Sequence, residues 1–282
     1  MEPRVSVIMG IYNCEDTIEK AIQSVINQTY KNWELIMCDD GSTDETYNIA
    51  NMYANKFKNI KVIRNKKNMR LAYSLNRCLE VSTGKYIARM DADDESLPER
   101  LKIQVNFLEN NQEYKVVGSS AIIFDEDGVK GIRNFREYPF ENDKWHGTPF
   151  AHPTIMMYSS TYKELGGYTV SKDTMRAEDL DLWFRFKLKG YQGYNIQKPL
   201  YKYRESIVDY KKRNLNAAIG TSKIIHKYYK LMNMSLKYYP RIIKPIIIAL
   251  LPDRLIQAHH KKMDNNLLRD ATKINVNELG EI

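Results

Sequence analysis

Across residues 1–110 the chain alternates short β-branched runs with stretches whose apolar side chains recur at helical spacing. Val5-Ser6-Val7-Ile8-Met9, Trp33 to Cys38, Lys61 to Arg64 and Lys85 to Met90 read as strands. Between them, Asp16 to Asn27, a segment opening at Ser42 or Thr43, Leu71 to Val81 and then Pro98 to Glu109 read as helices. Strand and helix in strict turn allow little besides a mostly parallel sheet, crossed right-handedly and covered by helices on both faces. Ligands of such sheets lie outside the carboxyl ends of the strands. The strand tips here are Tyr12-Asn13, Asp39-Asp40 and Asp91-Ala92-Asp93-Asp94, so three polar clusters, two of them acidic, share one edge.

After Lys115 the alternation weakens. Val116 to Phe124, Gly131 to Phe135 and Thr154 to Tyr158 suggest strands, and Gly166-Gly167-Tyr168 a turn. Met175 to Leu188 is helical, and Tyr201 to Arg204 closes this half. Residues 1–205 therefore form one α/β domain, with a first half over about 1–110 and a second over about 111–205. Residues 206–282 form a helical tail, with an apolar block from Ile242 to Leu251.

The net charge is +8, and its distribution matters more than its size. Residues 1–200 hold 27 basic and 28 acidic side chains, whereas 201–282 hold 16 and 7. A near-neutral body argues against nucleic acid as a partner, and a basic tail suits an anionic surface. Cys14, Cys38 and Cys78 form no CxxC pair, so reduced thiols are expected rather than a disulfide framework or zinc site. The N-terminus enters a strand at once and no run of 18 apolar residues occurs, so neither a signal peptide nor a spanning helix is expected. These features point to the cytoplasm, with peripheral attachment to the inner face of the cell membrane through the tail.

Each acidic cluster has a structural and a chemical reading. Asp91 and Asp93 stand two apart, so in extended backbone both carboxylates face one way and suit Mg²⁺ or Mn²⁺, or else they form a solvated loop. Asp39 and Asp40 suit hydrogen bonds to a ribose or base, while Ser42 to Asp44 suit a helix cap. No GxGxxG or GxxxxGK[ST] stretch is present to cradle phosphates, so a bound diphosphate would need a cation. Glu178-Asp179 opens a helix and serves as a dipole partner or a general base. Trp183 fits the core as well as an acceptor pocket, and His152 has no ligand-spaced partner.

These stretches, together with Ser24 to Gln28, His152-Pro153-Thr154 and Ala177 to Trp183, resemble family 2 glycosyltransferases of the GT-A fold, in order from about residue 4 to 204. The resemblance implies inverting, non-processive transfer of a hexosyl or N-acetylhexosaminyl group from a nucleotide-sugar, UDP-linked in most members, to an acceptor hydroxyl. It implies that the first half, about 1–110, binds the nucleotide and the second, about 111–205, the acceptor. It implies nucleotide contacts from Tyr12, Asp39, Asp40, Asn68, Arg70 and Asp91, and a metal on Asp93 with Asp91. Asp179 becomes the catalytic base with Glu178 beside it, and His152 and Trp183 fall on the acceptor side. Arg70 stands where the family commonly has glycine, Gly10 where it often has Pro or Thr, and Glu205-Ser206 where many members place a histidine metal ligand. Gly10 to Glu15 and Pro240 to Lys262 most resemble enzymes of bacterial exopolysaccharide and capsule synthesis, whose acceptors are saccharides or lipid-linked saccharides. The helical tail, with Tyr238, Tyr239, Arg241, Lys244 and Arg254 beside its apolar block, suits a membrane surface, a protein partner or the body itself. Two alternatives to a transferase of this kind are a nucleotidyltransferase and a regulatory, protein-binding module on the same scaffold.

Overall fold

The computed structural model describes residues 2–141, 148–205 and 215–252. Its sheet is built from β1 (Val5–Ile11), β2 (Trp33–Asp39), β3 (Ile60–Arg64), β4 (Tyr86–Arg89), β5 (Glu95–Ser96), β6 (Tyr114–Asp125), β7 (Gly128–Arg133), β8 (Met156–Tyr158) and β9 (Gln192–Arg204). The order is β3-β2-β1-β4-β8-β6-β9-β5, with β7 beside β6. β1, β2, β3 and β4 are parallel; β8 reverses between β4 and β6, and β6 again runs parallel to β9. The reversal at β8 joins the parallel half, β1 to β4, to a second half without breaking the sheet.

Alternate residues of each strand enter different cores, as the two-residue period requires. Val7 and Met9 of β1, Leu35 and Met37 of β2, and Tyr86 and Ala88 of β4 pack on one face. There they meet α1 (Ile18–Ile26), α2 (Thr46–Lys56) and α4 (Arg100–Asn110), through side chains such as Ile22, Tyr53 and Val105. Ile8, Ile36, Cys38 and Ile87 pack on the other face. That face is covered by α3 (Leu71–Val81), α5 (Ser159–Leu165), α6 (Glu178–Leu188) and α7 (Leu215–Leu231).

Several boundaries differ from the sequence expectation. The helix expected at Ser42 or Thr43 begins at Thr46, because Ser42 Oγ accepts the Asn13 N–H (3.1 Å) and Asp44 accepts the Glu15 and Thr46 N–H groups. Thr154 lies in a 3₁₀ turn, His152–Thr154, and not in the strand that follows it. Residues 215–231 are helical, as expected, yet they belong to the second core. Tyr228 stacks on Phe184 (4.7 Å between centroids) and donates to Asp181 Oδ1 (2.8 Å). Gly220 passes so close to Asp173 that a Cβ there would lie 2.5 Å from its carbonyl oxygen. The remainder of the tail divides into a 3₁₀ segment, Leu236–Ile242, and α8 (Lys244–Leu250), neither with a buried residue. Arg254 and the rest of 253–282 lie outside the described residues, as do 206–214.

Opposite the strand tips of the site, Glu34 anchors the bottom of the sheet. Its side chain is fully buried and accepts from Ser6 Oγ (2.7 Å), Thr83 Oγ1 (2.7 Å) and Thr83 N (2.8 Å), with Lys61 Nζ at 3.2 Å. Burial alone would raise its pKa, but these donors outweigh it and bring it from 4.5 down to about 2. The ionised form is thus favoured by folding, so its contribution is complete above pH 4.5 and fades as pH falls toward 2. Glu34→Gln is expected to lower the unfolding free energy by about 2–3 kcal/mol at pH 7. In urea titrations the gap from the parent protein should shrink between pH 4.5 and 2.

Candidate active site

A cleft of about 1290 Å³ opens along the carboxyl ends of β1, β2 and β4 and extends to the start of α6. Tyr12, Asp40, Asn68, Arg70, Asp91, Asp93, His152, Glu178 and Asp179 all line it. Tyr12, Asp40 and Asp91 share one space because parallel strands put their tips on one edge, and Asp179 joins them from the start of α6.

Two expected site residues lie elsewhere. Asp39 is fully buried behind the cleft, where it pairs with Arg64 Nε (2.9 Å) and accepts the Ser42 N–H. As the last residue of β2 it points to the opposite face from its neighbour Asp40, so only one of the two can reach the cleft. Trp183 is also fully buried, with ring centroids 4.7 Å from Phe150, 5.5 Å from His152 and 5.8 Å from Phe186. One turn into α6 from Asp179, it supports the floor of the site without bordering it. Asp181 of the same helix is structural too, holding Arg185 Nε (2.8 Å) and Thr169 Oγ1 (2.6 Å) as well as Tyr228.

The wall at the tips of β1 and β2 is built from interlocked loops. Tyr12 is 45% exposed at the cleft wall, and Asn13 Oδ1 ties the loop after β1 to Thr43 N (2.9 Å). Asp40 is almost fully buried and organises the loop before α3. Its Oδ1 accepts Asn65 Nδ2 (2.8 Å) and Met69 N (2.8 Å), and its Oδ2 accepts Arg70 N (2.7 Å). Those bonds hold Arg70 at φ 77°, ψ 162°, a region glycine occupies freely and other residues only at about 1–3 kcal/mol.

At the tip of β4 the carboxylates of Asp91, Asp93 and Asp94 offer oxygens within 4.8 Å of one another. Asp94 belongs to the same acidic strand tip, although the resemblance implies a metal on Asp93 and Asp91 alone. Its Oδ1 accepts the Arg204 N–H (2.7 Å), while its buried Oδ2 has no hydrogen-bond partner among the described residues. Burial, with the charges of Asp91 and Asp93, pushes its pKa well above the ordinary range. A buried carboxylate oxygen without a donor, beside two further carboxylates, is a hard-oxygen donor set, and it fits a divalent cation. Glu205, which stands where the resemblance implies a histidine in many members, pairs with Arg133.

Arg89, not singled out from sequence, lies beneath the whole site. Its side chain is 5% exposed and pairs with Asp91 Oδ2. Burial opposes its charge, but Asp91, Tyr201 and Tyr168 more than compensate, and its pKa rises. Across the cleft, burial together with the charge of Asp179 raises Glu178 from 4.5 to about 7. Asp179 is likewise raised by burial, against the Leu180 N–H that it accepts at 2.7 Å and against Arg89. Burial and the nearby Arg89 keep His152 neutral, its pKa well below 6.5, with Nε2 2.8 Å from the Tyr168 hydroxyl. A neutral, hydrogen-bonded imidazole on the cleft wall can position a polar group but does not carry charge there.

Arg89→Met should therefore do two things. Leaving Asp91 without its buried partner is expected to cost about 3–5 kcal/mol in denaturant unfolding. Carboxyl ¹³C NMR should show Glu178 titrating above its present value of about 7, because a charge that lowers it is gone.

Comparison with known proteins agrees with this geometry. Residues 6–166 match the family described as glycosyl transferase family 2. The chain is 48% identical over 261 residues to the glycosyltransferase EpsE of Bacillus subtilis strain 168, covering 92% of this chain and 94% of that protein. It is 32% identical over 193 residues to Escherichia coli WfaP, a UDP-Glc:α-D-GlcNAc-diphosphoundecaprenol β-1,3-glucosyltransferase, covering 68% of this chain and 73% of that one. Among solved structures, the Pyrobaculum calidifontis mannosyltransferase PcManGT, in complex with GDP-Man and Mn²⁺, superimposes with a TM-score of 0.61 at 17% identity. That match covers 93% of this chain and 81% of the other, and it shows a shared fold.

Proposed function

From the premise that the chain belongs to glycosyl transferase family 2, and so is a glycosyltransferase, we propose that it transfers a single sugar with inversion from a UDP-sugar to a saccharide hydroxyl in bacterial surface-polysaccharide synthesis. The observation that carries this reading is one cleft with a three-carboxylate cluster on one wall and a raised carboxyl pair, Glu178-Asp179, on another. WfaP, which acts on a UDP-sugar and a diphosphoundecaprenol-linked acceptor, supports a UDP donor and a lipid-linked acceptor.

Tyr12 offers its exposed face for stacking against the base, and Asp40 holds the loop that closes over it. Asp91, Asp93 and Asp94 would hold a divalent cation, Mg²⁺ or Mn²⁺, which when bound neutralises the departing diphosphate. Asp179 takes the proton of the acceptor hydroxyl as its oxygen bonds to the anomeric carbon and the bond from that carbon to the diphosphate oxygen breaks. Glu178 keeps the pair's combined charge low at neutral pH, and His152 offers a neutral polar contact to the acceptor. One base and one leaving group suffice, with no covalent sugar intermediate.

Asp179→Asn should lower kcat/KM by about 10²- to 10⁴-fold with the fold intact by circular dichroism. In the parent enzyme activity should rise with pH through about 7, because deprotonation of the Glu178-Asp179 pair supplies the base. Glu178→Gln removes one of two coupled charges and should move that limb to lower pH. Full activity of the Asp179 variant would refute its role as base.

The C-terminal segment supports a membrane-surface location for the acceptor. Leu236 (78%), Ile243 (55%), Ile247 (55%) and Leu250 (67%) are exposed beside Lys237, Arg241 and Lys244. Among the described residues no helix is long and apolar enough to cross a membrane, so this face would lie on the bilayer. Co-sedimentation with phosphatidylglycerol vesicles should fall when Ile243 and Ile247 are both changed to Asp. Equal recovery of parent and variant would discard this location.

A further inference from the structure

Arg70 is an arginine in a place built for glycine. Its backbone, φ 77° and ψ 162°, lies in the left-handed region where a side chain is strained. It immediately precedes α3, where the positive end of the helix dipole disfavours a cation. What the position does for the fold needs no side chain: the N–H donates to Asp40 Oδ2 (2.7 Å) and the carbonyl accepts Ser74 N (3.2 Å). Its guanidinium is exposed on the cleft wall and makes no hydrogen bond or ion pair among the described residues. Three other arginines of the cleft are engaged with carboxylates, Arg89 with Asp91, Arg133 with Glu205 and Arg204 with Glu126, while Lys172 and Arg176 line it farther along. Asp40, Asp91, Asp93 and Asp94 meanwhile line the same cleft and would repel any anion entering it.

We propose that Arg70 reads an anionic group of the sugar donor, its guanidinium pairing with oxyanions of the diphosphate or with a carboxylate on the sugar itself. The inference rests on the donor-cleft reading above. Planar, two-pronged donors suit both anions, and a guanidinium keeps its charge at any physiological pH. Arg70 is then a specificity-determining residue whose strain is retained for its side chain.

The test is equilibrium binding by calorimetry with Mg²⁺, using the full chain, Arg70→Gly, Arg70→Met and Arg70→Lys. Probes are uridine, UMP, UDP, UDP-glucose and UDP-glucuronate, with the guanosine series alongside. Diphosphate recognition predicts that Arg70→Gly and Arg70→Met bind UDP about 10- to 100-fold more weakly while uridine affinity is kept. Carboxylate recognition predicts unchanged UDP affinity and loss of a preference for UDP-glucuronate over UDP-glucose. In either case Arg70→Lys should recover part of the loss. Arg70→Gly should also raise Tm by about 2–4 °C as strain is relieved. Equal affinity of parent, Gly and Met variants for every probe, or a fall in Tm accounting for the loss, would overturn the role of Arg70. Absence of any nucleotide binding by the parent would instead overturn the donor-cleft reading, and Arg70's with it.

Discussion

The site depends on keeping one positive charge buried at the tip of β4. Arg89 is held there by Asp91, and its charge also lowers the pKa values of Glu178 and Asp179 across the cleft. A guanidinium out of water is costly unless paired, and half-buried Asp91 beside the buried carboxyl of Asp94 is costly unless a cation is near. Each makes the other tolerable. Arg100 completes the arrangement from α4. It is fully buried, donates to the carbonyls of Arg89 (2.8 Å) and Pro153 (3.0 Å), and lies over the Tyr201 ring at 4.8 Å. The acidic tip, the 3₁₀ turn carrying His152 and the end of β9 are thereby tied to a single side chain.

A second constraint comes from covering both faces of the sheet. One face is closed by helices from the first 110 residues alone, Ile22 and Val105 among them. The other needs α6 from the second half and α7 from beyond β9, through Phe184, Tyr228 and Tyr229. The basic, Tyr-rich helix is therefore divided in purpose. Its aromatic side supports α6, on which the proposed base Asp179 stands, while its lysines stay in solvent. Beyond it, from Leu236 onward, apolar side chains are left outside.

Much of the first half was legible in the sequence because local signals and tertiary structure agree there. β-branched runs became strands buried on both sides, and α3 spans Leu71–Val81 as its spacing indicates. Legibility failed where a residue's role depended on which way it faced. Asp39 and Asp40 look equivalent in sequence, yet the strand period sends one to Arg64 and the other to the loop before α3. Glu178, Asp179 and Asp181 form one acidic stretch, but Asp181 is turned to Tyr228 and Arg185 and away from the cleft. Arg89 and Asp94 sat beside residues already singled out. Their burial, which gives them their importance, is a property of neighbours far away in the chain.

The sequence by itself determined the parallel α/β architecture, the acidic strand tips, the separation of basic tail from near-neutral body and the family resemblance. Each is written in periods, adjacencies or charges that a single stretch of chain carries. Only the tertiary structure decided that Asp94 joins Asp91 and Asp93, that Trp183 is floor and not wall, and that α7 belongs to the body. It also decided that Arg70 keeps a strained backbone while its charge faces the cleft. Those outcomes turn on burial and direction. Both are set when segments a hundred residues apart compete for the same space, and no local pattern encodes who wins.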